Sequence, residues 1–226
     1  INRSIYSITN NYLQTTTSSV YIHYIQFICV CQVENDYLCI FFSFLHYIIA
    51  GDIMTLKKWK VISVIFIFLL SALLHFIYDC FPTFFTSLFF PVNESIWEHN
   101  KIIVASFLIL AIIEKIYYKK RKNVLFAECI SSLVCMILVM LIFTPIYLYI
   151  LKTNDNMIVT FAIFILAIII SQIVSYRLLQ KEYNSRWEEL GVILFVIFFL
   201  INIIFTYYPP HVAIFYDYTN KIYGLK

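Results

Sequence analysis

The sequence predicts an all-α integral membrane protein, a helical bundle of about five transmembrane helices with a cytoplasmic amino end. The chain is 62% hydrophobic and 13% charged, with a mean hydropathy of +0.85. Soluble domains are about 45–50% apolar and about 25% charged. A soluble core built from 226 residues cannot bury this much apolar surface, so the surplus must face lipid.

Long apolar runs supply the second observation behind this fold class. A bilayer-spanning helix needs roughly 17–25 apolar residues, and a lone strand would leave its backbone groups unpaired in lipid. The third run contains Pro145, which frees a backbone carbonyl and predicts a kink in that helix. The predicted spans are residues 61–77, 102–118, 124–150, 157–176 and 190–207.

Basic residues orient the bundle. They precede the first span and follow the second and fourth spans, as residues 57–60, 119–122 and 177–186. By the positive-inside rule the amino end is cytoplasmic and the carboxyl end lies outside. The predicted location is therefore the cell membrane, crossed several times, with the lipid bilayer as partner. A net charge of +3 without a basic groove gives no nucleic-acid signal, and a protein partner or homo-oligomer stays open.

Residues 1–53 differ from the rest of the chain. They open on Ile1, and their first part is rich in Asn, Thr, Ser and Tyr. Met54 is the first methionine and is followed by a basic stretch that is ordinary at the start of a membrane protein. We expect residues 1–53 to be a translated leader and residues 54–226 to form the single transmembrane domain. A real short span within residues 1–53 is the competing interpretation.

The candidate site is made of polar residues in apolar surroundings. An island at 93–101, Asn-Glu-Ser-Ile-Trp-Glu-His-Asn-Lys, separates the first two spans. Near the end of the first span lie His75 and Asp79, and His211 follows the fifth span. The predicted topology puts all of them on the outer face. Polar groups at such positions are unfavourable unless something satisfies them. The candidate catalytic residues are His75, Asp79, Glu94, Glu98, His99 and His211.

Two kinds of chemistry suit these residues. Imidazole nitrogens and carboxylate oxygens are zinc ligands, so a divalent metal such as zinc is the candidate cofactor, and a bound metal would activate water for hydrolysis. The candidate metal ligands are His75, His99, His211 and Glu94. The alternative needs no metal and uses His75 or His99 as base with Glu94 or Glu98 as acid.

A purely structural interpretation explains part of the island. Ser95 and Glu98 match the capping box S-x-x-E, whose side chains bind the first amides of a helix. It does not explain His75, which needs a partner at membrane depth; Asp79, Glu98 and His211 are the candidates. We expect Glu114 and Glu128 to pair with basic residues of the loop after the second span.

Three motifs carry a resemblance to a known family. They are His-Phe-x-Tyr-Asp at 75–79, Asn-Glu-Ser-x-Trp-Glu-His at 93–99 and Tyr-Pro-Pro-His at 208–211. Together they resemble an uncharacterised bacterial family of small multi-pass membrane proteins, over residues 54–224. The family has no assigned activity, so the resemblance implies the architecture and no catalytic residues.

The functional hypothesis is a membrane-embedded hydrolase or lipid-modifying enzyme with an outward-facing metal or acid–base site. An apolar, proline-bracketed segment at 81–91 is too short to span and could cover a lipid-binding site. A small-solute transporter is the alternative, although the sequence lacks paired repeats. A non-catalytic accessory or sensor protein is a third class, and whether the chain is an enzyme stays open.

Overall fold

The protein is mostly helical, as the sequence predicts. The computed structural model describes residues 55–225 except Asn154, Asp155 and Tyr183, so the expected leader at 1–53 lies outside the described residues. In chain order the helices are α1 (Leu56–His75), α2 (Ile77–Cys80), α3 (Phe84–Phe89), α4 (His99–Tyr117), α5 (Val124–Pro145), a π-helical segment (Ile146–Ile150), α6 (Met157–Leu179) and α7 (Arg186–Tyr207).

Among the residues that the structure describes, four helical stretches are long and apolar enough to cross a membrane. Four of the five predicted spans thus have a counterpart of sufficient length and apolar character. The remaining predicted span, the second along the chain at 102–118, corresponds to α4. The 19 residues of this helix include Lys101, Glu114 and Lys115. The four stretches are Leu56–Cys80, Val124–Ile150, Met157–Leu179 and Arg186–Tyr207.

The helix of the first predicted span is divided near its end, although the apolar stretch continues to Cys80. Helix α1 stops at His75, and Phe76 interrupts it with backbone angles φ −91° and ψ −4° before α2 begins at Ile77. His75 is therefore the last residue of a membrane helix. This position gives its side chain access to the loop that precedes α4.

The helix that contains Pro145 changes its hydrogen-bonding pattern at that residue, where the sequence predicts a kink. The α-helical part of the third span ends at this residue, and the chain continues as five residues of π-helix. Proline cannot donate a backbone hydrogen bond, and its ring crowds the preceding turn. The Leu151 N–H accordingly donates to the carbonyl of Ile146, five residues back, at 2.9 Å.

Helix α5 lies at the centre of the bundle. It packs against α4, α6 and α7, while α1 packs against α4 and α6. A side chain at Gly191 would place its Cβ 2.3 Å from the backbone nitrogen of Phe126, so the close approach of α7 to α5 requires glycine. The outer surface is apolar: Leu141 is 69% exposed and Ile158 is 80% exposed, which suits contact with lipid.

The segment after α7 folds back onto the loop before α4. It contains a short 3-10 helix (Ala213–Phe215) and two strands, β1 (Tyr216–Asp217) and β2 (Ile222–Tyr223), which pair antiparallel. The Trp97 N–H donates to the carbonyl of Ile214 at 2.9 Å. This carboxyl-terminal segment therefore holds the polar island in place.

Candidate functional site

Three side chains from the predicted set converge at one end of the bundle. The Nε2 atoms of His75 and His99 are 3.1 Å apart. Each of these nitrogens is 3.6 Å from Oε2 of Glu94. One ligand atom from each residue thus lies within 4.8 Å of the other two. We call these residues the His–Glu–His cluster.

His99 enters the cluster from the first turn of α4. Its Nδ1 lies 2.8 Å from the carbonyl oxygen of Ser95. A carbonyl only accepts hydrogen bonds, so Nδ1 must carry the proton and donate it. In the neutral ring, Nε2 then presents its lone pair to the cluster. A hydrogen bond of this kind is the usual device that orients a metal-binding histidine.

His75 reaches the cluster from the end of α1. It is half-buried, and its side chain meets His99 and Glu94. His75 pairs with His99 and Glu94 rather than with Glu98 or His211, and the expected partner Asp79 adds only a smaller electrostatic attraction. The helix ends at His75, and the ring therefore faces the loop that carries Glu94 rather than the following turn of its own helix.

Glu94 is positioned through its backbone. Its N–H donates to Oδ2 of Asp217 at 3.0 Å. Burial opposes ionisation of Asp217, but hydrogen bonds from Asn220, Glu94 and Thr219 outweigh that effect and lower the pKa of the carboxyl. Asp217 therefore remains a carboxylate at neutral pH. It anchors the loop while the 42% exposed Glu94 side chain points to the histidines.

The spacing of the three ligand atoms fits a tetrahedral metal. With zinc–ligand bonds of about 2.0–2.2 Å, neighbouring ligand atoms in a tetrahedron lie about 3.3–3.6 Å apart. The observed separations of 3.1, 3.6 and 3.6 Å bracket this range. Two histidines and one carboxylate leave a fourth position for water or substrate, as catalytic zinc sites do.

Glu98 does not join the cluster. Its carboxylate lies 2.8 Å from Nζ of Lys101, accepts the Val92 N–H at 3.2 Å and accepts the Thr206 hydroxyl at 2.6 Å. Lys101 is fully buried and also donates to the carbonyls of Ser87 and Phe90. These bonds join α3, α4 and α7 at one point.

The capping box forms only in part. The Glu98 N–H donates to the hydroxyl of Ser95 at 3.3 Å, as the motif predicts. The reciprocal bond is absent among the described residues, because the Glu98 carboxylate binds Val92 N–H and the Ser95 N–H donates to Oδ1 of Asn93. Helix α4 begins at His99, later than a capping residue at Ser95 requires.

The other two predicted residues lie apart from the cluster. Asp79 is exposed in α2. His211 is exposed in the carboxyl-terminal segment, where its ring centroid lies 4.7 Å from that of Tyr223. The structure thus brings together three of the four predicted metal ligands, and His211 is the one outside.

An apolar cavity of about 290 Å³ adjoins the cluster. His75, Glu94 and His99 line one end of it. The remainder is lined by residues of α1, α4, α5 and α6, among them Phe68, Ala72, Ile103, Val139, Phe143 and Phe164. Largely apolar cavities with a few convergent polar groups are typical of small-molecule sites.

A second group of buried charges was not predicted. Lys60 donates to both Glu114 and Glu128, and all three side chains are at most 5% exposed. Trp59 also donates to Glu114, and Ser175 and Gln172 donate to Glu128. The expectation that these glutamates pair with the loop after the second span is wrong, because their partner is on α1.

The sequence contains a signal for this second group. Lys60, Glu114 and Glu128 each lie within a helix that is otherwise strongly apolar, where ionisable residues need partners. Asp217, in contrast, carries no such signal. It lies between two tyrosines in the segment after α7, outside the long apolar helices, and its contact with Glu94 depends on the fold of that segment.

Comparisons with known proteins identify the family of the chain but assign it no activity. Residues 49–225 match the family described as "Family of unknown function (DUF6512)". This range agrees with the resemblance drawn from the three motifs. Searches of curated proteins and of solved structures gave no match.

Proposed function

Because the chain belongs to DUF6512, a family of unknown function, we propose its role from the site: it is a membrane-embedded hydrolase with one divalent metal. The observation that carries this proposal is the triangle of ligand atoms from His75, Glu94 and His99. Their separations match a tetrahedral zinc site, and the cavity adjoins the open position.

The residues fit such an ion in charge as well as in distance. Two neutral imidazoles and one carboxylate give the donor set of known hydrolytic zinc enzymes. The Ser95 carbonyl fixes the tautomer of His99, and Asp217 fixes the backbone of Glu94. Bound zinc would lower the pKa of a water molecule and polarise the oxygen of a substrate.

We take the bond that is cleaved to be the acyl–oxygen bond of an ester. In hydrolysis the water oxygen bonds to the acyl carbon, the bond from that carbon to the leaving oxygen breaks, and the alcohol departs with a proton of the water. Water and substrate are the two reactants, so no oxidant or reductant is needed.

We also propose that α4 is a fifth membrane span. Its 19 residues give a length of about 28 Å, close to the roughly 30 Å of a bilayer core. Lys101 and Glu114 are fully buried and paired, so they need not face lipid. The basic residues then put the amino end in the cytoplasm and the His–Glu–His cluster on the outer face.

Cysteine labelling tests this orientation. In a variant whose own cysteines are replaced by alanine, we expect Thr219→Cys to react with a membrane-impermeant maleimide in intact cells. Lys120→Cys, exposed beyond the other end of α4, should react only after lysis. The reverse pattern would contradict the proposed orientation.

Metal analysis tests the site itself. The full chain, purified in detergent, incubated with zinc and then desalted, should hold about one equivalent of metal by plasma mass spectrometry. Competition with a chromogenic chelator then gives the affinity. A folded chain that retains less than roughly a tenth of an equivalent would overturn the metal site.

A further inference from the structure

The cavity beside the His–Glu–His cluster has two chemically different parts. Its polar end carries the cluster, and its body is almost wholly apolar. Ser71 also lines the body, but its hydroxyl is hydrogen-bonded to that of Ser106 at 2.9 Å. Ser71 is therefore already paired within the protein. The polar end and the apolar body of the cavity would complement the polar head and the apolar chain of an amphiphile.

The size of the cavity limits what the body can hold. Its volume of about 290 Å³ would hold about ten chemical groups of the size of one water molecule, which occupies roughly 30 Å³ in the liquid. Along α1 the lining runs from His75 to Phe68, which is about 10 Å of helix. We take one hydrocarbon chain of about ten carbons as the occupant that matches this volume and length.

The cavity lies close to the apolar outer surface. Met157 and Phe161 of α6 line it and are also 72% and 46% exposed on the outside. Phe161 makes an edge contact with Phe68 of α1, with ring centroids 5.6 Å apart. The side chains of Met157 and Phe161 thus belong both to the cavity wall and to the outer surface. A ligand could therefore enter from lipid between α1 and α6.

We propose that the substrate is a single-chain acyl amphiphile of about ten carbons. Its carbonyl or carboxyl oxygen meets the His–Glu–His cluster, and its chain lies in the cavity between α1 and α6. This inference deepens the proposed hydrolase and rests on it for the reaction. The cavity alone supports the binding of the chain.

Radiolabelled decanoic acid is the probe for this proposal. The full chain in nanodiscs, with zinc, should bind it saturably. Ala72→Phe fills the cavity and should weaken binding at least tenfold. Ala105→Phe is the matched control, because Ala105 lines a separate apolar groove between α1, α4 and α7, and it should leave binding within about twofold.

Chain length supplies a second measurement. We expect affinity to be highest near ten carbons and to fall for hexanoic and octadecanoic acid. A steady rise in affinity with chain length, or unchanged binding by Ala72→Phe, would mean simple partition into lipid and would overturn the inference. Equal losses in Ala72→Phe and Ala105→Phe would also overturn it, because the effect would then not be specific to the cavity. The zinc content of Ala72→Phe, expected to equal that of the unmodified chain, shows whether that variant retains its folded cluster.

The two proposals fail separately. If the chain holds zinc but does not bind decanoic acid, the substrate class is wrong and the metal site stands. If the chain binds decanoic acid in the cavity but holds no zinc, the chain-binding site stands and the hydrolase is wrong.

Discussion

Replacing His99 with alanine is expected to weaken zinc binding by roughly a thousandfold or more. Losing an outer partner of a metal ligand already costs about 10–100-fold, and this change removes a ligand itself. His75→Ala should have a similar effect, since its Nε2 lies only 3.1 Å from that of His99. Competition with a chromogenic chelator measures both affinities.

His211→Ala is the matched control for this prediction. It makes the same chemical change at the same end of the bundle, but His211 lies outside the cluster and against Tyr223. We expect its zinc affinity to stay within about threefold of the unmodified chain. Equal losses in His211→Ala and His99→Ala would contradict the ligand set drawn from the geometry.

Replacing Lys60 with methionine should lower the free energy of unfolding by about 3–5 kcal/mol. Methionine has a similar length and no charge, so Glu114 and Glu128 would be left buried without their common cation. Removing one partner of a buried ion pair is strongly destabilising for this reason. Unfolding in mixed micelles, followed by tryptophan fluorescence, measures the change.

Two further variants make the Lys60 prediction specific. Lys57→Met makes the same replacement one turn earlier, at an exposed position, and should change stability by less than about 0.5 kcal/mol. Adding Glu114→Gln and Glu128→Gln to Lys60→Met should restore most of the loss, because it removes the unpaired charges. If the triple variant is no more stable than Lys60→Met, charge pairing is not the cause.

The membrane helices could be predicted because their signal is local. Length and apolar content identify Val124–Ile150 and Met157–Leu179 without any knowledge of the helices that pack against them. Pro145 likewise identifies the place where the α-helix gives way to a π-helical segment. Helix ends are less local. The end of α1 at His75 depends on the turn at Phe76, and apolar residues continue past it in the sequence.

The site could be predicted only as a set of candidates. His75, Glu94 and His99 stand out as polar residues next to apolar spans, but spacing does not reveal which of them meet. Glu98 has the same appearance in the sequence and instead binds Lys101 and Thr206. Its role depends on where α7 ends relative to α4, which is a property of the packed bundle.

His211 illustrates the same limit. It follows the last span on the predicted outer face, as the cluster does, and so it was a reasonable fourth ligand. The direction of the chain after the two prolines at 209–210 decides its position, and it contacts Tyr223 rather than the other histidines.

The tie between the carboxyl-terminal segment and Glu94 has a consequence for biosynthesis. Asp217 anchors Glu94, and the carbonyl of Gly224 accepts a hydrogen bond from Asn93 at 2.6 Å. A ribosome makes both of these anchors after every helix of the bundle. The cluster can therefore reach its final geometry only after Asp217 and Gly224 have been made, and we expect metal to be acquired after the insertion of α1–α7 rather than during it.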